Sequence, residues 1–230
     1  MKKIGLIGGM SWESTQVYYR IINEKVNEIL GGFHSAKCVM ESVDFAEIER
    51  LQHKNDWNLL TEIMVEAAQN LEKARAEFIV LCTNTMHLCS ADIQKNTNIP
   101  LLHIAKATGI KIQQDKIKKA LLLGTRFTME KDFYRQTLDH DFGIETLVPV
   151  EKDRETIHRI IYDELVHGVI RNESKKKYRD IISKAVKSGA QGVILGCTEI
   201  PLLIGSNDVN VPVFDTTKIH AEMAVEQALE

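Results

Sequence analysis

The sequence predicts an α/β protein made of two pseudosymmetric lobes, each a parallel sheet flanked by helices. Two observations predict this fold class. Short apolar runs without polar alternation are separated by longer segments with helical periodicity, which is typical of parallel strands buried on both faces. In addition, three segments recur in the same order about 115 residues later, which indicates duplication of an α/β unit.

The strands are predicted from short apolar runs. These runs are KIGLIG (3–8), KCVMESV (37–43), FIVL (78–81), PLLHI (100–104), ALLLG (120–124), GVILG (192–196) and PVFD (212–215). After the first run, apolar residues on one helical face from Val17 to Leu30 predict a helix that ends at Gly31 and Gly32. The same spacing predicts a second helix over 57–71.

The repeat predicts where the chain divides. IGLIG (4–8) matches ALLLG (120–124), AEFIVLCT (76–83) matches AQGVILGCT (190–198), and NIPLLHIAK (98–106) matches NVPVFDTTK (210–218). We therefore predict a first lobe over 1–105, joined by the C-terminal segment 212–230, and a second lobe over 106–211. Because ligands of α/β sheets bind beyond the carboxyl ends of strands, we expect the active site in the cleft between the lobes.

The composition excludes several classes of protein. The chain has 230 residues, 44% hydrophobic and 27% charged, with a net charge of −3, so it has no basic surface typical of binding to nucleic acid or anionic membranes. It shows neither a signal peptide nor an apolar segment of the roughly 20 residues that span a bilayer. We expect a cytoplasmic protein in which Cys38, Cys82, Cys89 and Cys197 are reduced thiols.

Two of the cysteines occur in repeated context, in CTNT (82–85) and GCTE (196–199). The residues after each cysteine are suited to a helix N-terminus, whose free N–H groups bind a carboxylate and lower the pKa of a nearby thiol. Two thiols on opposite faces of an amino acid α-carbon could remove and return its proton, inverting the configuration. The alternative is that both are packing residues, as buried cysteines often are. Cys38 and Cys89 have no counterpart in the repeat and are interpreted as structural.

The spacing of the cysteines and of the N-terminal glycines predicts no cofactor. Cys82, His87 and Cys89 lack the paired spacing of zinc sites, so no metal is predicted. Gly8 and Gly9 match neither the G-x-G-x-x-G nor the Walker A pattern of nucleotide-binding loops. They either let the backbone approach a small ligand, with Ser11 capping the next helix, or form a plain tight turn. The run SKKK (174–177) is expected on a solvated helix face.

The motifs GLIGGMSWEST, VLCTNTMH, LLGTRFTM and GCTEI closely resemble the aspartate/glutamate racemase superfamily, in its aspartate racemase and broad-specificity branch. The resemblance implies two α/β lobes, a homodimer, and racemisation without pyridoxal phosphate or metal. It implies that Cys82 and Cys197 are the catalytic acid/base pair. It also implies that the substrate is bound by Met10, Gln52, Thr83, Asn84, Thr85, Thr125, Thr198 and Glu199.

Two departures bear on the substrate. Glutamate racemases resemble this pattern but carry Asp-Ser at the first turn and Cys-Thr-His in the second motif, where this chain has Gly8-Gly9-Met10 and Cys197-Thr198-Glu199. Aspartate racemases are expected to place basic residues where this chain has EIERLQ (47–52), which contains Arg50, and DELVHG (163–168). We predict a cofactor-independent racemase of aspartate, a broader set of amino acids, or both. The alternatives are a maleate isomerase, a hydantoin racemase, or a catalytically silent amino-acid sensor.

Overall fold

A computed structural model describes all residues from 1 to 230 and contains two four-stranded sheets in which every strand pair is parallel. The first sheet consists of β1 (Ile4–Gly8), β2 (Cys38–Ser42), β3 (Phe78–Leu81) and β4 (Leu101–Leu102). The second consists of β5 (Lys119–Gly124), β6 (Glu145–Leu147), β7 (Gly192–Gly196) and β8 (Val213–Asp215). The predicted α/β class with two parallel sheets is confirmed.

The two sheets have the same strand order, β2-β1-β3-β4 and β6-β5-β7-β8. Each strand of the first sheet thus has a counterpart four strands later in the second. The innermost pairs correspond in register as well, since Ile7 lies opposite Leu81 and Leu123 lies opposite Leu195. This identity of order is what duplication of one α/β unit produces.

Ten α-helices cover the sheets. They are α1 (Trp12–Leu30), α2 (Phe45–His53), α3 (Trp57–Lys73), α4 (Ser90–Lys95), α5 (Ile104–Gln114), α6 (Arg126–Glu130), α7 (Asp132–Phe142), α8 (Glu151–Asp163), α9 (Asn172–Lys187) and α10 (Thr216–Leu229). Short 3₁₀ helices occupy Thr85–Cys89, Leu165–His167, Ile200–Leu202 and Ser206–Asp208. The sequence patterns missed α2 and the edge strand β6. The strand was missed because it is a three-residue segment without a fully buried side chain.

The chain forms two compact units. The first comprises Met1–Ile104 with His220–Glu230, and the second comprises Ala105–Ile219. The sequence had assigned the whole of 212–230 to the first lobe, but β8 pairs in parallel with β7, so the start of that segment lies in the second unit. The physical reason is the ladder of backbone hydrogen bonds, which includes Val193 N–H to the carbonyl of Pro212 at 2.9 Å.

In the first unit, alternate residues of β3 enter different cores. Phe78, Val80 and Cys82 pack with side chains of α1 and α10, whereas Ile79 and Leu81 pack with those of α2 and α3. Because successive side chains of a strand point to opposite faces, these are the two faces of one sheet. Each fully buried aliphatic side chain contributes about 1.5–3 kcal/mol through removal from water.

In the second unit, the main core lies between the sheet and helices α8 and α9. Leu123, Leu195 and Cys197 from the sheet side pack with Ile157 of α8 and Tyr178 of α9. Ser174, expected on a solvated helix face, is instead 1% exposed. Its hydroxyl donates to Oε2 of Glu164 at 2.6 Å, which explains why a polar residue is buried there.

Candidate functional site

Cys82 is the first residue after β3, and its side chain is shielded from solvent. Its N–H donates to the carbonyl of Ile7 at 2.9 Å, which joins the end of β3 to the end of β1. The side chain is completely buried, and the thiol lies 3.8 Å from the carbonyl oxygen of Val80. Burial raises the pKa of the Cys82 thiol well above its usual value, because the thiolate loses hydration.

His87 fixes the backbone of the segment after Cys82 through two hydrogen bonds. The His87 Nδ1–H donates to the carbonyl of Thr83 at 2.8 Å, and its Nε2 accepts from the N–H of Ile104 at 3.1 Å. These two bonds hold the imidazole neutral, in a single tautomer. His87 is thus a hydrogen-bonding residue that positions the backbone of the CTNT segment. Thr83, Asn84 and Thr85 are all buried there.

His87 belongs to a cluster of three histidines. Its ring centroid lies 4.8 Å from that of His103 and 5.7 Å from that of His220. The Tyr18 hydroxyl donates to Nδ1 of His220 at 2.9 Å, and the Nε2–H of His220 donates to the carbonyl of Leu102 at 2.8 Å. Burial lowers the pKa of His220 to about 4 and that of His87 well below its usual value.

Buried His87 and His220 should make the protein acid-sensitive. The unfolded chain binds protons near pH 6.5, whereas the folded chain does not until lower pH, so stability is full above about pH 7 and is lost as pH falls toward about 4. Each histidine contributes up to about 1.4 kcal/mol of loss per pH unit in that window. Urea unfolding at pH 7.5 and at pH 5 measures this loss of stability.

The matched variants for this acid effect are His220→Gln and His140→Gln. His220→Gln should lower stability at pH 7.5 but reduce the further loss at pH 5, because one buried group fewer titrates. His140→Gln makes the same substitution at an exposed position of α7 and serves as the control for it. Equal stability of the parent protein at the two pH values would contradict the neutral cluster.

The turn after β1 explains Gly8, Gly9 and Ser11 without a ligand. A Cβ on Gly8 would lie 2.3 Å from Cγ2 of Thr15, and Gly9 has φ +90° with its backbone against Val43. The Gly9 N–H donates to Oγ1 of Thr15 at 2.9 Å. Ser11 caps α1 by accepting from the N–H of Ser14 at 3.3 Å, as expected. A tight turn packed on α1 is therefore sufficient reason for both glycines.

Met10 and Gln52 lie on the α2 and α3 side of the first sheet. Met10 is buried in the same core as Met86, and the Gln52 amide donates to the Met86 sulfur at 3.2 Å. The side chain of Cys82 enters the core on the other face. The structure therefore brings Met10, Gln52 and Met86 together, and it separates this group from the core that holds Cys82. Met86 was not among the residues predicted from the sequence.

Cys197 is the first residue after β7, the counterpart of β3. It is 9% exposed, and its thiol donates to Oε2 of Glu199 at 2.9 Å. The Thr198 hydroxyl donates to the same oxygen at 2.7 Å. Burial raises the pKa of Cys197 well above its usual value, and the Glu199 carboxylate raises it further because it repels a thiolate and accepts from the thiol.

The expectation that both thiols have lowered pKa values is wrong. The segments that follow them form 3₁₀ helices of only five and three residues, Thr85–Cys89 and Ile200–Leu202. Desolvation is the main cause that raises the pKa of each thiol. The two cysteines are also not equivalent, since a carboxylate accepts from Cys197, whereas Cys82 faces a backbone carbonyl.

Thr125 is placed like Ser11 in the second unit. It follows β5 and caps α6 by accepting from the N–H of Thr128 at 3.3 Å. Its hydroxyl also lies 3.3 Å from that of Thr128, as Ser11 lies 3.1 Å from Ser14. The capping pairs repeat at corresponding strand ends, so a structural role accounts for the residue type at both positions.

No set of three or more histidine, cysteine, aspartate or glutamate side chains is arranged to hold a metal ion. None of the helices combines the length and apolarity needed to cross a membrane. Lysine and arginine are absent from the buried residues, and Arg50 and His167 are exposed.

The fold and the repeated strand-end cysteines define a class of α/β proteins with two like sheets, each ending its third strand in a Cys-Thr pair. The profile of the Asp/Glu/Hydantoin racemase family matches residues 7–224, and the chain belongs to that family. The resemblance noted in the sequence motifs is thereby confirmed.

Several relatives support this membership. A protein from Yersinia pestis, provisionally assigned as an Asp/Glu racemase, is 53% identical, with a TM-score of 0.95 over 100% of both chains. An aspartate racemase homologue from Pyrococcus horikoshii is 39% identical, with a TM-score of 0.87 over 100% of both chains. The broad specificity amino-acid racemase RacX of Bacillus subtilis is 24% identical over 74% of this chain and 73% of its own length.

Proposed function

We propose that the protein is a cofactor-independent amino acid racemase that interconverts L- and D-amino acids through Cys82 and Cys197. The observation that carries the proposal is the position of the two thiols. Each is the first residue after the same strand of two sheets with the same order, and each is followed by threonine. Membership of a racemase family supports the reaction class.

In the proposed reaction one cysteine enters each turnover as a thiolate and the other as a thiol. The thiolate takes the α-proton from one face of the substrate carbon, and the opposite thiol returns its own proton to the other face. The two cysteines thereby exchange protonation states. The resulting form is ready for the reverse reaction, and proton exchange with solvent restores the starting form before the same enantiomer is converted again. Backbone N–H groups that bind the substrate carboxylate would stabilise the intermediate carbanion.

Glu199 is proposed to act on Cys197 as well as on the substrate side of the site. Its Oε2 accepts from both the Cys197 thiol and the Thr198 hydroxyl, so the carboxylate orients the sulfur and its proton. Predicted contacts of the substrate with Met10, Gln52, Thr83, Asn84, Thr85, Thr125, Thr198 and Glu199 stay predictions, as do the homodimer and the cytoplasmic location.

For the substrate, we propose a broad set of amino acids in preference to aspartate alone. A second carboxylate is best bound by a cation that donates charge-assisted hydrogen bonds to it. None of the fully buried residues is lysine or arginine, and the Glu199 carboxylate beside Cys197 would repel a second negative charge. The Bacillus subtilis relative, a broad specificity amino-acid racemase, agrees with this choice. Hydantoins are the second candidate, because the family description includes hydantoin racemases.

The test is incubation of the metal-free protein with single L- and D-amino acids in deuterated water. We expect loss of the α-proton together with formation of the opposite enantiomer, for several neutral amino acids at rates at least comparable to aspartate. Parallel incubations with aspartate, glutamate and a 5-substituted hydantoin distinguish the alternatives. Exchange with aspartate alone would contradict the broad set, and absence of exchange with every amino acid would contradict the racemase itself.

A further inference from the structure

Tyr178 carries one of the buried polar atoms of the second unit that have no hydrogen-bond partner. It lies on α9, its side chain is 0% exposed, and its hydroxyl has no hydrogen-bond partner. Leaving a buried hydroxyl unpartnered is costly, and phenylalanine would fill the same volume without that cost. A tyrosine in such a position therefore indicates a partner that the hydroxyl gains in another state of the protein.

The surroundings of Tyr178 show which partner is available. Tyr178 and Cys197 belong to the same buried core, which also contains Leu195. Burial raises the pKa of the Tyr178 phenol well above its usual value, and negative charge on Cys197 and Glu164 raises it further. The phenol thus remains an O–H donor, with two groups nearby that become or are anions. Glu164 accepts from Ser174 at 2.6 Å and takes no part in the proposed proton transfer, whereas Cys197 is the group whose charge changes during that reaction.

The hydrogen bonding of Cys197 must change during the proposed reaction. In the thiol form its S–H donates to Glu199 at 2.9 Å. Once the proton leaves, the sulfur has nothing to donate and becomes an anion beside the Glu199 carboxylate, so the two groups repel each other. A thiolate in this position needs a donor from the surrounding core.

We propose that Tyr178 is a positioning residue that supplies this donor: its O–H bonds to the Cys197 sulfur when Cys197 is a thiolate and has no partner when Cys197 is a thiol. The inference rests on the proposed racemase function and extends it, because it assigns one residue to one protonation state of one of the two bases. Tyr178 takes no proton and forms no bond to the substrate. Its effect is to make the thiolate of Cys197 easier to form and to keep it in place.

The test is Tyr178→Phe, with Tyr134→Phe as a matched control. Both tyrosines are fully buried in the second unit, but the Tyr134 hydroxyl donates to Oγ1 of Thr108 at 2.9 Å. Tyr178→Phe should leave the unfolding temperature unchanged or raise it, because it removes an unpartnered group. Tyr134→Phe should lower it, because it leaves the Thr108 hydroxyl without its donor.

The activity readout uses the pH profile. In Tyr178→Phe, kcat should fall about 10- to 100-fold with KM little changed, because a hydrogen bond to a charged group is lost. The ascending limb of the profile should move to higher pH, since the thiolate is less stabilised. The fall in kcat/KM should be equal for both enantiomers, because the equilibrium constant between enantiomers is fixed at unity. Tyr134→Phe should not move the profile.

A readout independent of catalysis separates this inference from the racemase proposal. Alkylation of Cys197 by iodoacetamide, followed by peptide mass spectrometry, reports the pH at which its thiolate forms. In Tyr178→Phe that midpoint should rise, whereas the midpoint of Cys82 should not change. If the parent protein shows no racemase activity but the midpoint still rises in Tyr178→Phe, the proposed function fails and the hydrogen bond between Tyr178 and Cys197 stands. Destabilisation of Tyr178→Phe without any shift would overturn the inference.

Discussion

Replacement of Cys82 or Cys197 by serine is expected to lower racemisation by about 10²- to 10⁴-fold, the range attributed to a positioned acid or base. Serine has the same side-chain shape with oxygen in place of sulfur, but its hydroxyl does not ionise near neutral pH. Because inversion needs a base on one face and an acid on the other, either single replacement should abolish it. Racemisation is followed by chiral chromatography of the amino acid.

The two serine variants should differ in isotope exchange. Each retains one cysteine, which can still remove the α-proton of the single enantiomer that it faces and return a deuteron from solvent to the same side. Nuclear magnetic resonance should therefore detect exchange of one enantiomer in Cys82→Ser and of the other in Cys197→Ser. Exchange of both enantiomers in both variants would return the thiols to a packing role.

Cys89→Ser is the control for these variants. Cys89 is 1% exposed in the core on the other face of the first sheet, and its sulfur accepts from the Thr61 hydroxyl at 3.4 Å. Its replacement should leave racemisation within a few-fold of the parent value. A comparable loss of activity in Cys89→Ser would show that removing any buried thiol inactivates the protein through its packing.

Gly9→Ala is expected to lower the free energy of unfolding by about 3 kcal/mol or more. Gly9 has φ +90°, a conformation that L residues rarely adopt, and an added Cβ would lie 2.2 Å from the carbonyl oxygen of Val43. That neighbour is backbone of the chain leading from β2, so it cannot rotate away. Unfolding in urea, monitored by circular dichroism, measures the loss.

Gly143→Ala isolates the conformational part of this effect. Gly143 ends α7 with φ +62° and has no heavy atom within 4 Å of an added Cβ. Its replacement should cost about 1 kcal/mol, the price of the left-handed backbone alone. Similar small losses in both variants would show that Val43 moves aside and that the turn after β1 is not tightly packed.

How much of the fold could be predicted depended on how local its signal is. β3 and β7 were predicted at the bounds observed, because fully buried parallel strands appear in the sequence as short apolar runs. The edge strand β6 has no such run. The segment 213–215 was assigned to the first lobe, although the strand it forms pairs with β7. Strand partners are set by contacts distant in the chain, which no local pattern records.

For the candidate site, too, some properties could be predicted from the sequence and others could not. The position of Cys82 and Cys197 after corresponding strands could be predicted from the repeated motifs. The ionisation of the thiols could not, because the sequence indicates helix starts but not how deeply each sulfur is buried. The acceptor role of Glu199 and the unpartnered hydroxyl of Tyr178 also appear only in three dimensions. In the sequence, Tyr178 is simply one residue of an apolar helical stripe with Ile181 and Ile182.

The sequence by itself determined the α/β class, the duplication and the two Cys-Thr pairs, because these depend on residue types at fixed spacing along the chain. Only the tertiary structure decided which strands pair, which histidines are held neutral, and which groups face each thiol. Those properties depend on burial and on partners from distant segments. Cys197 illustrates the difference: the motif predicts its position after a strand, whereas its pKa depends on burial in the core and on the neighbouring Glu199 carboxylate.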